Sequence, residues 1–178
     1  MILALAATVL ALVAAAATVA AAAPRNFVTP LNGASEVPAR DTQARGVAIF
    51  QLSPDGQTMS YKLIASNIEN VFMAHIHLQD PGTVPGETNG PIAVWLYEST
   101  VPGDQAPLGS GRHDGVLVTG SFTSAAFTGP LAGMTMEALV EAIAQGRAYV
   151  NVHTNDGVGD PDTGPGDFPG GEIRGQLP

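Results

Sequence analysis

Residues 47–64 read VAIFQLSPDGQTMSYKLI and predict two strands joined by a tight turn. On both sides of Pro54-Asp55-Gly56 apolar side chains recur at alternate positions, which is the period of a strand with one buried face. Proline fixes φ near about −65° and glycine accepts a positive φ, so this tripeptide favours a hairpin. The chain therefore contains at least one antiparallel strand pair.

The same pattern recurs along most of the chain. Further alternating runs lie at 27–31, 72–78, 92–97, 116–123, 148–154 and 172–177, separated by Gly, Pro, Asn and Asp. About eight short strands with turn residues between them are typical of an antiparallel Greek-key sandwich or barrel. We therefore predict a mainly β fold.

One helix interrupts the series of strands. Met136, Leu139, Val140 and Ile143 follow the i, i+3, i+4, i+7 spacing of a single apolar stripe. Thr135 suits the N-cap position, and Gly146 provides a stop. The spacing predicts one short helix that closes an end of the barrel.

Residues 1–23 differ from the rest of the chain. They carry no charged side chain, consist mostly of Ala, Leu and Val, and end at Pro24-Arg25. A helix of this length would extend roughly 35 Å, enough to cross a bilayer, and its small-residue end resembles a signal-peptide cleavage site. We predict that 1–23 is a signal peptide or a retained apolar helix that anchors or assembles the protein. The β domain at 24–178 is then secreted, extracellular, periplasmic or on the cell surface.

Composition excludes several functions. The chain has no cysteine, so neither disulfides nor thiolate metal sites are available. Its net charge of −9, with no local basic cluster, excludes nucleic-acid binding. We find no hydrolase motif, phosphate loop or dinucleotide fingerprint, so the sequence supplies no reaction and favours a role other than catalysis.

Three histidines are the main candidates for chemistry. In residues 72–78, FMAHIHL, the alternation turns Phe72 and Ala74 to the core and His75 and His77 to the outer face. In residues 148–154, AYVNVHT, it turns His153 outward as well. Neutral imidazoles bind copper and zinc, and nitrogen ligands favour copper, with zinc second. We predict a metal site at His75, His77 and His153; hydrogen-bonded surface histidines are the alternative.

Other residues are weaker candidates. His113 is a candidate fourth ligand. Glu172 shares a strand face with Arg174, which predicts either a salt bridge or an acceptor for a histidine N–H. The loop 155–171 contains four aspartates and is a candidate calcium site, although it lacks the spacing of an EF-hand loop. For Trp95 we expect a place in the core.

Four motifs resemble those of the CHRD domain, which is named for its occurrence in chordin and is also found in secreted microbial proteins. In chain order they are Leu31–Pro38 (LNGASEVP), Ala74–His77 (AHIH), Tyr149–Thr154 (YVNVHT) and Gly171–Gly175 (GEIRG). The resemblance covers Phe27 to Leu177. It implies an extracellular β-barrel module with a binding or structural role and an unidentified extracellular protein or matrix partner.

The histidine pattern is also similar to the copper half of copper–zinc superoxide dismutases. The chain lacks the cysteines of their disulfide, and we find no equivalent of the metal-bridging histidine or of the zinc-loop cluster. This resemblance implies an alternative function as a copper-dependent redox protein. A further alternative is a subunit of an extracellular filament or surface layer assembled through residues 1–23.

Overall fold

The computed structural model describes residues 25–98 and 111–178. Within them eight strands form one antiparallel sheet. The strands are β1 (Asn26–Asn32), β2 (Arg45–Leu52), β3 (Met59–Glu69), β4 (Val71–Leu78), β5 (Ile92–Glu98), β6 (Arg112–Phe122), β7 (Ala148–Thr154) and β8 (Ile173–Gln176). The α-helix found in these residues is α1 (Met136–Ala144), and short 3-10 helices lie at Gly33–Ser35, Ser124–Ala126 and Gly129–Leu131. The predicted mainly β fold with eight strands and one short helix is confirmed.

The order of strands in the sheet is β5-β4-β7-β8-β1-β2-β3-β6. The predicted hairpin joins β2 to β3, with Leu52 opposite Met59 and a φ of 72° at Gly56. Three neighbouring pairs join strands that are not consecutive in sequence: β7 lies beside β4, β8 beside β1 and β6 beside β3. These crossovers place β4 and β7, which carry the three histidines, side by side.

Tyr61 bridges the gap between β5 and β6, the two terminal strands of the sheet. Its hydroxyl, on β3, donates a hydrogen bond of 2.7 Å to the Leu96 carbonyl on β5. The neighbouring strand β6 carries Gly120 opposite Tyr61, and a Cβ at Gly120 would lie 2.6 Å from the tyrosine hydroxyl. The missing side chain therefore lets the ring cross β6 and reach β5, which leaves the sheet a nearly closed barrel.

The core fills the inside of this barrel. Ala74 and Ile76 of β4 and Val150 and Val152 of β7 are buried there, as their alternation predicts. Helix α1 packs its apolar stripe against the same core and follows Thr135 at its N-cap, and Gly146 behind it has a φ of 68°. The predicted helix is confirmed.

The prediction for residues 1–23 lies outside the described residues. Among the helices that the structure does describe, none has the length and apolar character needed to cross a membrane.

Candidate functional site

The three predicted histidines lie together on two paired strands. His75 and His77 are on β4, and on the adjacent β7 Asn151 is opposite His75, while His153 is opposite Met73. One nitrogen from each of the three rings lies within 4.8 Å of the others. The alternation of strand side chains therefore brings three imidazoles to one place on the outer side of the sheet.

Loops cover this part of the outer face, so the histidines are buried. The exposed fractions are 0% for His75, 8% for His77 and 5% for His153. The segments 33–44, 79–91 and 155–172 cross the face and contact it through hydrogen bonds such as those from Arg174 to Thr88 and from His153 to Pro169. The histidines thus point away from the barrel core, as expected, but they are not on the protein surface.

Hydrogen bonds to backbone carbonyls fix two of the rings. His77 Nδ1 lies 2.8 Å from the Gly90 carbonyl, and His153 Nδ1 lies 2.8 Å from the Pro169 carbonyl. A carbonyl only accepts, so both Nδ1 atoms carry the proton and both Nε2 atoms present a lone pair. This pairing of Nδ1–H with a backbone carbonyl is the usual support of a metal-binding histidine.

The third ring completes the cluster. His75 Nδ1 lies 3.1 Å from His153 Nε2 and donates its proton to it. Among the described residues, neither His75 Nε2 nor His77 Nε2 has a hydrogen-bond partner, although both atoms are buried. A buried polar atom without a partner costs about 1–3 kcal/mol, so two of them together are an unusual feature of a folded core.

Burial keeps all three rings neutral near pH 7. Burial, together with the neighbouring His153 and His77, lowers the pKa of His75 to about 2. Burial also lowers the pKa of His153 to about 4, although the hydrogen bond to Pro169 opposes this shift. The pKa of His77 is lowered, again chiefly by burial. Neutral imidazole is the form that binds a metal ion.

Stacking on Tyr149 also fixes the ring of His77. Its ring lies parallel to that of Tyr149 at 4.9 Å between centroids, and the Arg174 guanidinium lies 3.4 Å from the centroid of the Tyr149 ring. Arg174 also donates hydrogen bonds of 3.0 Å to Asn89 Oδ1 and to the Thr88 carbonyl. The stack therefore fastens the loop that carries Gly90 to the face of the sheet.

Glu36 and Asn151 extend the polar cluster and were not predicted as site residues. Glu36 is buried beside Asn151, and burial raises its pKa to about 7, against the opposing charges of Arg174 and Arg40; its Oε1 atom has no hydrogen-bond partner among the described residues. Gly171 lies between them, because a Cβ there would be 2.5 Å from Glu36 Oε1 and 2.8 Å from Asn151 Nδ2. Both residues belong to motifs quoted above, but neither pattern alone indicates a contact across the fold.

The family model of the CHRD domain matches residues 27–160. The chain belongs to the CHRD domain family. No significant match was found among curated proteins or among solved structures. The resemblance inferred from the four motifs is thus confirmed, and the matched region runs from β1 through β7. Strand β8 follows the matched region yet pairs with both β7 and β1 in the same sheet.

All four CHRD motifs supply residues to the buried polar cluster around the three histidines. Glu36 comes from the first motif, His75 and His77 from the second, Asn151 and His153 from the third, and Gly171 and Arg174 from the fourth. These segments are far apart in sequence and meet only because β4, β7 and β8 are neighbours. The four motifs of this CHRD domain therefore meet at one place in the fold.

Two aromatic residues of the CHRD domain lie elsewhere than predicted. Phe72 was expected in the barrel core, but the β4–β7 register shifts between Val71 and Met73, and Phe72 instead contacts His153 edge-on at 6.2 Å. Trp95 was also expected in the core. It is 42% exposed and contacts His75 edge-on at 4.2 Å, after a register shift between β4 and β5. Both predictions are wrong. A bulge beside Phe72 breaks the strict alternation of faces, whereas Trp95 follows the alternation, because Val94 and Leu96 on either side of it are buried.

The remaining candidates lie apart from the three histidines. His113 is on β6 opposite Ile68 and does not belong to the cluster. Glu172 does not bind Arg174 or a histidine; it accepts hydrogen bonds from the Thr42 and Thr154 hydroxyls and from the Gly166 amide. The backbone carbonyls of Gly90 and Pro169, rather than Glu172, accept the hydrogen bonds from the histidine N–H groups.

The aspartates of the loop 155–171 are partly engaged within the fold. Asp167 accepts hydrogen bonds from the amide and hydroxyl of Thr163, and Asp162 pairs with Arg40 at 3.0 Å. In the described part of the chain, the histidine cluster is the only group of three or more side chains close enough to share a metal ion. A calcium site in this loop stays a prediction.

Proposed function

We propose that this CHRD domain is an extracellular binding and structural module that holds one transition metal ion on His75, His77 and His153. The observation that carries the proposal is the convergence of three buried, neutral imidazoles, two of which keep an Nε2 atom without a hydrogen-bond partner among the described residues. A bound cation would satisfy these lone pairs and remove the cost of burying them.

The donor set suits copper first and zinc second. Imidazole nitrogens bind both ions, and Cu(II) stands above Zn(II) in the order of affinities for such ligands. Nitrogens bound to one such ion at about 2.0–2.1 Å would lie roughly 3.3–4.1 Å apart. The present separation of up to 4.8 Å thus requires only a small closure of the cluster.

A metal at this place would act on the whole domain. Its ligands would join β4 to β7, and through the bonds to Gly90 and Pro169 it would fix the two loops that cover the site. A chain without cysteine has no disulfide to do this. At a free concentration of about 100 times its Kd, such an ion adds roughly 2.7 kcal/mol to the free energy of unfolding.

Export of the domain is part of the proposal. The apolar segment 1–23 supports secretion or display at the cell surface, and membership of the CHRD family supports an extracellular role. The fold and the acidic surface charge suit an extracellular protein or matrix partner rather than a nucleic acid. A barrel face held rigid by the metal would present such a partner with one defined surface.

Copper titration of the metal-free full chain tests the site. Trp95 is the only tryptophan of the chain and contacts His75, so one equivalent of Cu(II) should quench its fluorescence. In His77→Ala we expect the Kd for Cu(II) to rise about 100-fold or more, because a ligand held by β4 is lost. His113→Ala is the matched control and should bind like the wild type, since His113 is not in the cluster.

Equal affinities of the two variants, or no quenching by one equivalent of Cu(II), would overturn the proposal. A dismutase assay of the copper-loaded wild type separates the redox alternative: our proposal predicts no activity above that of free Cu(II). Dismutation well above that level would show that the domain is an enzyme instead.

A further inference from the structure

His153 Nε2 has an unusual neighbour. It lies 2.9 Å from the side-chain oxygen Oδ1 of Asn151, at hydrogen-bond distance. His153 gives its Nδ1 proton to the Pro169 carbonyl, so Nε2 of the neutral ring carries no proton and accepts the one that His75 Nδ1 offers from 3.1 Å. Asn151 Oδ1 therefore receives no hydrogen from His153, and a cation bound to Nε2 would have this oxygen within reach as a further ligand.

Glu36 accounts for the direction in which the Asn151 amide points. Asn151 Nδ2 and Glu36 Oε1 face the same point above Gly171, which has no side chain to separate them. Rotating the amide by half a turn would bring Oδ1 towards the carboxylate, where two acceptors would repel each other. Glu36 thus keeps the N–H group on its own side and directs Oδ1 towards the histidines.

Asn151 also has the right place in the sheet. It lies two residues before His153 on β7, so both share a face, and it is directly opposite His75 on β4. Asn151 is buried, with 3% of its surface exposed. Its oxygen already lies 2.9 Å from one of the three ring systems, at His153 Nε2.

We propose that Asn151 Oδ1 is a fourth ligand of the metal site and that Glu36 is the positioning residue that aims it. The inference rests on the proposed function, because it adds a ligand to the same site. Three imidazole nitrogens and an amide oxygen suit a divalent ion such as Zn(II) or Cu(II), whereas Cu(I) prefers soft sulfur ligands. The site therefore holds its ion in the divalent state, which fits a structural role better than a redox cycle.

The visible absorption of Co(II) tests this ligand, because its band positions and intensities report the number and type of donor atoms. The metal-free full chain is titrated with Co(II) alone. In Asn151→Ala we expect Co(II) to bind about 10-fold more weakly or worse, with bands changed by the loss of the oxygen donor. Asn26→Ala is the matched control: it removes an exposed asparagine at the start of β1, outside the cluster, and should leave the spectrum as in the wild type.

Two more variants sharpen the test. Asn151→Asp combined with Glu36→Gln keeps an oxygen at the same position and gives its second oxygen an amide donor in place of the Glu36 carboxylate, so it should bind Co(II) at least as tightly as the wild type, with similar bands. It decides the question even if Asn151→Ala does not fold, since weaker binding by this double variant would overturn the inference. Glu36→Gln offers both a donor and an acceptor to Asn151, so it should weaken Co(II) binding while the bands keep their positions; unchanged affinity would overturn the role of Glu36.

The two proposals can fail separately. If the wild type binds no Co(II), Zn(II) or Cu(II), the proposed function fails. If the wild type binds but Asn151→Ala shows the same affinity and the same bands, only the fourth ligand is disproved.

Discussion

Burial determines what each of the three histidines can do. An exposed imidazole titrates near pH 6.5 and can exchange its hydrogen bonds with water. His75 and His153 are buried against other rings and against loop carbonyls, and their pKa values fall to about 2 and about 4. Their nitrogens therefore keep their lone pairs over the whole physiological pH range.

The same pKa shifts predict how the metal-free protein responds to acid. Histidines of the unfolded chain take up protons below about pH 6.5, whereas the folded His75 and His153 do so only near 2 and 4. Their contribution to the free energy of unfolding is thus present above pH 6.5 and is lost as the pH falls towards 4, by about 1.4 kcal/mol per pH unit for each ring. Glu36 has the opposite sign, because its raised pKa of about 7 gives a contribution that is present below about 4.5 and lost as the pH rises through 7.

Urea unfolding of the chelator-treated full chain at pH 6.5 and 4.5 measures this effect. The wild type should lose stability at the lower pH, because the histidines outweigh Glu36 in this window. His77→Phe keeps a ring beside Tyr149 but removes one group whose pKa is lowered, so it should lose less. Equal losses in the two proteins would show that His77 does not contribute to the acid sensitivity.

At the level of single residues, the sequence predicted the three metal-ligand candidates but not their partners. Alternation along β4 and β7 was sufficient to place His75, His77 and His153 on one face. Trp95 was expected in the core, although alternation with the buried Val94 and Leu96 turns it outward. Alternation itself gave a wrong position for Phe72, because a register shift in β4 turns this ring towards the histidines. A bulge of one residue leaves no clear sign in a short apolar run.

Among the elements, Tyr61 helps to close the gap between β5 and β6. Its hydroxyl donates to the Leu96 carbonyl, and its ring packs 6.0 Å from that of Phe122 on β6. Gly120 provides the space for that ring. The Thr128 amide, beyond β6, also donates a hydrogen bond of 3.0 Å to the Ala93 carbonyl on β5, so backbone pairing and the Tyr61 side chain close the barrel together.

Tyr61→Phe should therefore lower the free energy of unfolding by about 0.5–1.5 kcal/mol, since it removes one hydrogen bond and leaves the Leu96 carbonyl without this donor. Urea unfolding at constant pH measures the difference. Copper affinity should not change, because the ring lies on the core side of the sheet and the histidines on the other. A variant as stable as the wild type would mean that the Tyr61 hydroxyl does not help to hold the barrel closed.

Most elements were predictable from local patterns. Turn chemistry at Pro54-Asp55-Gly56 placed the β2–β3 hairpin, and the apolar stripe placed α1 to within a residue or two. The alternating runs found all eight strands but underestimated β3 and β6, which extend to Glu69 and begin at Arg112. The β6 extension is polar, and in the β3 extension Ser66 and Asn67 separate the buried Ala65 and Ile68, so neither shows the alternating pattern although the two pair with each other.

On the scale of the whole molecule, the site depends on contacts that no local pattern contains. Four separate motifs meet because β4, β7 and β8 are neighbours, and the loops 33–44, 79–91 and 155–172 cover the result. Loops rich in Gly and Pro have no periodicity from which their path could be predicted. The sequence therefore predicted outward-facing histidines and could not show that they are buried.

Anomalous diffraction at the copper edge, from crystals of the full chain grown with one equivalent of Cu(II), tests the central claim most directly. We predict one dominant peak among the rings of His75, His77 and His153, at about 2.0–2.1 Å from one nitrogen of each ring. Copper found only at other positions, with the three rings in contact with each other and no peak between them, would contradict the claim that this CHRD domain contains a histidine metal site.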